Sequence, residues 1–350
     1  MLSNRIQKIY RRIGYITCSS VFLLFLLGGL VRATGSGMGC PDWPRCFGLV
    51  APPTCDCDLP ANYQQVFLEK RIKKVERFSS FLEKVGMTKQ AERLRTDPSI
   101  RVPEKFNLTK AWIEYINRVF GVLSGIFSLA WFLWVWIKKD LSKYRLWVTL
   151  GFIFLVINAW FGSIVVATNL VPGIVSLHFL LSFICLFAFI YALHKQSAFR
   201  WINNSDEDIK PLGVWIIWAT IWLIVTLGTW AREETEMLRT VGRLVATGDN
   251  ILDLQAMGFS FMVHRFLPAA IWLFAAYFLR KQSNIEGIHF GSPWFWIFVV
   301  STLQICLGAV QIVYVLPMWS QTLHIVFGSA LLTLSFIWAL SEQHAQNANN

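Results

Sequence analysis

The chain has 350 residues, of which 55% are hydrophobic and only 15% are charged. A soluble domain carries about 25% charged residues, so this composition excludes a soluble protein and indicates a polytopic membrane protein. Seventeen Trp and 28 Phe are typical of membrane interfaces and lipid-facing surfaces. The net charge of +11 is explained by basic connections between spans, and we expect no nucleic acid partner.

Eight apolar runs are long enough to cross a lipid bilayer, at roughly 20 residues each. They lie at 13–32, 111–137, 146–168, 173–194, 212–232, 257–280, 292–314 and 319–341. The first run follows a basic start like a signal peptide, but it is longer than a signal core and lacks a small-x-small cleavage site. The sequence therefore predicts an all-α integral membrane fold with eight transmembrane helices.

Lys and Arg residues predict how the chain is oriented. They cluster at the N-terminus and in alternate connections, at Arg5, Lys8, Arg11, Arg12, Lys138, Lys139, Lys143, Arg145, Lys195, Arg200, Lys210, Arg280 and Lys281. By the positive-inside rule both termini are cytoplasmic, and the long loop 33–110 is outside. No transit peptide is apparent before the first span, so we expect a bacterial cytoplasmic membrane.

The chain contains an internal repeat. Three landmarks recur in the same order: span endings at 27–32 and 227–232, span beginnings at 114–118 and 261–265, and a 16-residue spacing in Gly162/His178 and Gly308/His324. Chance similarity among apolar helices is the alternative explanation. Four spans in each half predict a parallel repeat. The halves are 1–200, which carries the loop 33–110, and 201–350.

The loop 33–110 has two notable parts. Residues 70–95 are charged and helix-favouring, which predicts amphipathic helices that serve as a lid or partner surface, or as a structural insert. Cys40 and Cys46 flank a Pro-Asp-Trp-Pro turn, which predicts a disulfide that is either a structural staple or a redox-active pair. Cys55 and Cys57 are too close for an easy mutual bridge, and a four-cysteine metal site is an alternative.

Other polar residues have simpler interpretations. Cys18, Cys185 and Cys306 lie in apolar runs and are predicted to pack there, and His194, His289 and His344 are predicted surface residues. Arg265 follows His264 and is a candidate partner for a heme propionate. Snorkelling to the interface is the alternative for Arg265, as it is for Arg32 and Arg232.

Three histidines lie within spans and at one predicted depth. His178, His264 and His324 are each five to seven residues into a span, or roughly 8–10 Å from its outer end. His264 and His324 belong to one half, which predicts bis-imidazole ligation of a heme. Zinc is the alternative metal, but a structural zinc site needs four ligands, and no such cluster is visible.

The first half departs from this arrangement. Asn117 stands where the second half has His264, so this half offers one imidazole, His178, and one amide. One ligand favours a heme that comes and goes. Glu114 lies one turn before Asn117, where a carboxylate could move protons or stabilise charge. The alternative for Glu114 is an interfacial acid near a helix N-terminus.

Five segments together resemble the heme A synthase family, over most of the chain and all eight spans. They are "GGLVRATGSGMGCPDWPRCFG", "WIEYINRVFG", "TNLVPGIVSLHFLL", "MVHRFLPA" and "QTLHIVFGSALL". The resemblance implies a membrane enzyme of cytochrome oxidase biogenesis. Such enzymes oxidise a methyl group of heme O to a formyl group, by successive hydroxylation and loss of water, and give heme A.

The resemblance also implies roles for particular residues. The C-terminal half would hold a heme b cofactor through His264 and His324, with Arg265 beside it. The N-terminal half would receive heme O at His178, Asn117 and Arg118. The family commonly has a second His where this chain has Asn117. An acidic residue of the family just before that second His matches Glu114, which is the candidate catalytic residue, and the family's loop cysteine pair matches Cys40 and Cys46.

Two other functions fit part of the pattern. A non-catalytic membrane cytochrome b explains the C-terminal histidines but leaves Glu114 idle. A heme-handling assembly factor or transporter fits the half-occupied site but not the cysteine pair. The electron donor is open, with a quinol or a redox protein as candidates. Heme O synthase, cytochrome oxidase assembly proteins and the lipid bilayer are the other expected partners.

Overall fold

The computed structural model describes residues 4–168, 170, 173–196, 210–240, 257–287 and 290–349. Within these ranges the chain forms α1 to α10, at Asn4–Ala33, Tyr63–Lys84, Thr88–Thr96, Leu108–Ile137, Arg145–Ala167, Ile174–His194, Pro211–Thr240, Phe259–Glu286, Pro293–Val313 and Met318–Asn349. All except α2 and α3 are long and apolar enough to cross a membrane, which makes 8 candidate spans. The predicted eight-span helical fold is confirmed.

Two helices extend well beyond the predicted spans. α1 begins at Asn4 rather than at residue 13, and α7 continues to Thr240 rather than ending at residue 232. The apolar pattern marks only the length that matches the bilayer, whereas Glu, Arg, Leu and Met also favour helix outside it. Residues 233–240, predicted as a loop, are therefore helical.

The eight membrane-length helices of the described residues pack as two four-helix bundles with the same helix order, which we call the first ring and the second ring. α1 packs on α4 and α6, and α5 closes the first ring between them. α7 packs on α8 and α10, and α9 closes the second ring in the same way. The predicted parallel repeat requires this correspondence. The rings meet mainly where α10 packs on α1 and α6, and where α6 packs on α7.

Aromatic rings fill the boundary between the two sets of helices. The ring of Phe187 in α6 lies 4.3 Å from that of Phe336 in α10 and 5.4 Å from that of Trp222 in α7, measured between centroids. Helices in lipid gain little from the hydrophobic effect on association, so close packing of this kind stabilises them. Offset aromatic pairs add a further specific attraction.

Residues 34–107 form a subdomain over one end of the bundle, which we call the loop end. α2 and α3 form a helical hairpin, as residues 70–95 predicted, and its apolar core contacts Ile174 at the start of α6. The buried Arg71 side chain donates to the carbonyls of Ile100, at 3.5 Å, and Val102, at 3.1 Å. The hairpin is thus closed on itself and seated on the first ring.

Candidate functional site

Glu114 lies in the second turn of α4 and faces the loop end. Its side chain is buried, with the residue only 3% exposed. One carboxylate oxygen, Oε2, accepts the backbone N–H of Cys40 at 2.8 Å. The other, Oε1, forms an ion pair with Arg118, one helical turn further on. Glu114 is therefore held from two sides, by the loop and by its own helix.

Arg118 connects α4 to the segment of residues 40–48 that contains Cys40 and Cys46, which we call the cysteine loop. Its guanidinium donates to the carbonyls of Asp42 at 2.6 Å, Arg45 at 2.8 Å and Cys40 at 2.9 Å. With Glu114 this makes four acceptors for a group that carries five N–H donors. The predicted contact between Arg118 and a heme stays a prediction. In this structure the N–H groups of Arg118 donate to backbone carbonyls of the cysteine loop.

The cysteine loop is compact and tightly seated on α4. Cys40 and Cys46 are joined by a disulfide, as predicted, and both are fully buried. They pack with Phe47 and with Ala111 of α4. Gly39 lies so close to α4 that a Cβ at this position would overlap the carbonyl of Lys110, so only glycine fits. The staple thus sets where the Cys40 amide meets Glu114.

The second cysteine pair differs from expectation. Cys55 and Cys57 are joined to each other, so their short spacing does not prevent a bridge. With both pairs oxidised, the part of the chain that the structure describes contains no four-cysteine metal site.

Thr54 donates hydrogen bonds from its hydroxyl and its amide to Asp58, and these hold the pKa of this exposed carboxyl below its usual range.

Lys74 of α2 lies near the charged groups of the cysteine loop. Partial burial lowers the pKa of the Lys74 ammonium, and the nearby Asp42 carboxylate opposes this shift. Asp42 in turn accepts the N–H of Gly48 at 2.9 Å. Phe67 of α2 also packs with Phe47 of the cysteine loop, so the hairpin and the cysteine loop pack together above α4.

The other predicted site residues of the first ring are His178 and Asn117. The His178 ring lies against Gly162 of α5, where a Cβ would sit 3.4 Å from Cε1. Nδ1 of His178 is buried and makes no hydrogen bond to any described residue. Asn117 is half-buried. Gly28 of α1 corresponds to Gly228 in the repeated span endings, and it has open space around it, since a Cβ there would meet no described atom within 4 Å.

The second ring brings the imidazoles of His264 and His324 together, edge to face. Their ring centroids are 6.0 Å apart, and their planes are inclined by 80°. Nδ1 of His264 lies 2.9 Å from the carbonyl oxygen of Ile224 in α7. This contact assigns a proton to Nδ1 and leaves Nε2 free to bind a metal, the arrangement typical of histidine ligands.

Glycines make room for these rings. A Cβ at Gly228 would lie 2.7 Å from Cε1 of His264, and a Cβ at Gly308 would lie 3.8 Å from Cε1 of His324. The Gly308 and His324 pair repeats the contact between Gly162 and His178 in the first ring. Gly228 was visible in the sequence only as part of a repeated span ending, and its contact with His264 needed the structure.

The three arginines considered as propionate partners have different surroundings. Arg265 is exposed, and its guanidinium lies 5.5 Å from the centroid of the Phe266 ring. Arg32 and Arg232 both approach Glu236, at 3.9 Å and 3.6 Å. The proposed contact between Arg265 and a heme therefore remains a prediction. Arg32 of the first ring and Arg232 of the second ring approach the same carboxylate, that of Glu236.

Of the residues predicted to lie outside the site, the five that the structure describes do so, but the prediction that Cys306 packs within its helix is wrong. His194 at the end of α6 and His344 in α10 are neighbours, with ring centroids 5.7 Å apart, at the end of α6 opposite His178. Cys18 and Cys185 are buried, whereas Cys306 is exposed on α9. His289 lies outside the described residues.

Eight membrane-length helices in two matching rings, one of them with a facing histidine pair, define a class of polytopic membrane protein with an intramembrane imidazole site. Within this class, the sequence profile of the COX15-CtaA family, described as cytochrome oxidase assembly protein, matches residues 11–336. The chain belongs to this family.

Individual relatives are similar over nearly the whole chain. The heme A synthase of Shewanella oneidensis is 24% identical, over 92% of this chain and 93% of its own length. The heme A synthase of Paramagnetospirillum magneticum is 25% identical, over 93% of this chain and 91% of its own length. A shorter match, to the heme A synthase of Shouchella clausii, is 49% identical over 47 residues, or 13% of this chain.

Proposed function

We propose that this protein is a heme A synthase, which oxidises a methyl group of heme O to the formyl group of heme A. The observation that carries the proposal is the difference between two matching rings. The second ring has a facing imidazole pair, His264 and His324. The first has His178 and Asn117 at the corresponding places, with the buried Glu114 one turn from Asn117. One ring suits a resident cofactor, and the other suits a substrate.

The second ring fits a heme b cofactor. Iron held by two imidazoles lies about 2 Å from each ligating nitrogen, which separates the ring centroids by roughly 6 Å. The observed 6.0 Å matches this geometry. The hydrogen bond to Ile224 at 2.9 Å orients the His264 ring. When bound, this heme would supply one-electron redox chemistry for the substrate site in the first ring of helices.

The first ring is the proposed substrate site. His178 is the imidazole that would meet the iron of heme O from one side, because its ring packs on Gly162 as the ring of His324 packs on Gly308 in the second ring. Asn117 is a poor iron ligand, so the opposite side would stay open. Glu114 would hold or move a proton at its carboxylate during oxidation of the ring substituent. Arg118 would keep Glu114 in place and maintain a neutral pair.

The proposed setting follows from charge and partners. Both termini would be cytoplasmic in a bacterial cytoplasmic membrane, with the loop end outside, where the two disulfides persist. Electrons would come from a quinol or a redox protein. Heme O synthase would supply the substrate, and cytochrome oxidase assembly would consume the product.

Heme extraction tests the function directly. The full chain is expressed in bacteria that make heme O but no heme A, and the extracted hemes are separated by reverse-phase chromatography. Appearance of heme A, absent from the same cells without the protein, supports the proposal. Heme O that stays unconverted while the protein carries only heme B would overturn it.

Substitution of Gly228 tests the resident heme site. We expect Gly228→Ala to lose most bound b-type heme, because the added methyl would lie 2.7 Å from Cε1 of His264 and displace the ring. The matched control is Gly28→Ala, where the added methyl meets no described atom within 4 Å. The measurement is b-type absorbance per mole of purified protein. Equal heme content in the two variants would contradict the assigned contact.

Substitution of Asn117 tests the open side of the substrate site. We expect Asn117→His to give six-coordinate, low-spin heme O and to reduce turnover, because a second imidazole would close the vacant position. The measurement is the absorption spectrum with added heme O, together with conversion. Unchanged turnover would count against an essential vacancy at this position.

A further inference from the structure

A short polar segment of α7 touches helices of both rings. We call residues 232–236 the clasp. It follows the apolar part of α7 at the loop end, within the stretch that hydropathy assigned to a loop. Two of its carboxylates contact the beginnings of other helices, α6 and α8. These are the helices that carry His178 and His264.

Glu233 holds the start of α6. Its Oε1 accepts the backbone N–H of Gly173 at 2.6 Å and the hydroxyl of Ser176. The first N–H groups of a helix have no partner within the helix. A carboxylate is favoured at this end because it complements the helix dipole. Glu233 thus ties α7 to the first turn of α6, two residues before His178.

Glu234 holds the start of α8 in the same way. Its Oε1 accepts the hydroxyl of Ser260, in the first turn of α8. Gly258, which precedes the helix, lies so close that a Cβ there would be 2.8 Å from the same oxygen. Ser260 is four residues, or about one turn, before His264. Neighbouring carboxylates on α7 therefore anchor the two histidine-bearing helices separately.

We propose that Glu233 and Glu234 are positioning residues, Glu233 for His178 in the substrate site and Glu234 for His264 in the heme b site. The inference rests on the proposed function, because it takes the two histidines as heme ligands. An α-helix is stiff over one turn, so the anchor of its first turn sets the height and rotation of the ring that follows. Loss of a group hydrogen-bonded directly to a metal ligand typically lowers affinity by 10–100-fold, and we expect the lower end of this range because the glutamates act through the helix backbone.

The experiment compares adjacent alanine substitutions in the purified full chain. Glu234→Ala should lower the affinity for heme b on the order of tenfold and leave heme O binding unchanged. Glu233→Ala should weaken binding of added heme O on the order of tenfold and leave the heme b content unchanged. Glu236→Ala is the matched control, since Glu236 is 56% exposed and its ion pairs are long. It should change neither heme.

Selectivity decides the outcome. If both alanine variants weaken both hemes equally, or if neither changes either heme, the inference is wrong. Glu233→Gln and Glu234→Gln keep an acceptor oxygen, so they replace an alanine variant that does not fold. They should show the same selective loss of affinity for one heme, with a smaller fold-change. Conversion is measured separately. Wild-type protein that binds both hemes but makes no heme A overturns the proposed function and leaves this test intact.

Discussion

Replacing Glu114 with glutamine is expected to reduce conversion of heme O by about 10²–10⁴-fold, the range for loss of a general acid–base group. The resident heme b should remain bound, because Glu114 lies in α4 of the first ring, whereas His264 and His324 lie in the second. Glutamine keeps a carbonyl oxygen for the Cys40 amide but loses the charge that pairs with Arg118. Conversion is measured by heme extraction, and heme b by its absorption spectrum.

A structural role for Glu114 is separated from a catalytic one by two controls. Glu92→Gln changes an exposed carboxylate on α3 and should leave conversion unchanged. Thiol titration of Glu114→Gln reports whether Cys40 and Cys46 remain joined. Lost conversion with an intact disulfide and bound heme O supports acid–base work. Full conversion in Glu114→Gln would exclude that role.

Replacing His264 with alanine is expected to remove the resident b-type spectrum almost completely. One of the two imidazoles proposed to hold heme b is lost, and the Ile224 carbonyl, 2.9 Å from Nδ1 of His264, loses its partner. Conversion should be lost as well, because the proposed heme b would no longer supply redox chemistry to the proposed substrate site. The measurement is heme content by pyridine hemochrome and by the reduced spectrum. His324→Ala should behave in the same way.

Imidazole rescue and an unrelated histidine make this test specific. Added imidazole should restore a low-spin spectrum to His264→Ala, because the cavity left by the ring can accept it. His344→Ala, at the opposite end of the bundle and paired with His194, should retain the resident heme. His178→Ala should keep the heme b spectrum and lose heme O binding. A full b-type spectrum in His264→Ala would overturn the assignment of this ligand.

The contact between Glu114 and the Cys40 amide bears on the two interpretations of the disulfide. As a staple, the bridge presents the amide at 2.8 Å from the carboxylate. As a redox pair, its reduction would loosen the same loop, which Arg118 holds through three carbonyls. Both interpretations therefore act on Glu114, and they differ in whether the thiols cycle during turnover.

Much of the candidate site could be predicted from the sequence because the internal repeat allows corresponding positions of the two halves to be compared. The shared spacing of Gly162 to His178 and Gly308 to His324 predicted matching hairpins, and both glycines do face their histidines. The difference between Asn117 and His264 predicted unlike halves. The partners of Arg118 were not predictable, because its acceptors are backbone carbonyls of a loop more than seventy residues away.

Hydropathy and charge were enough to predict the eight spans and to locate the candidate residues, because bilayer thickness and the cost of burying charge in lipid constrain composition directly. The contacts between side chains became known from the folded chain. It showed the contact of Gly228 with His264, the bridge between Cys55 and Cys57, and the helical clasp with Glu233 and Glu234. These contacts join segments distant in the chain or depend on local backbone geometry, and hydrophobic periodicity carries no information about either.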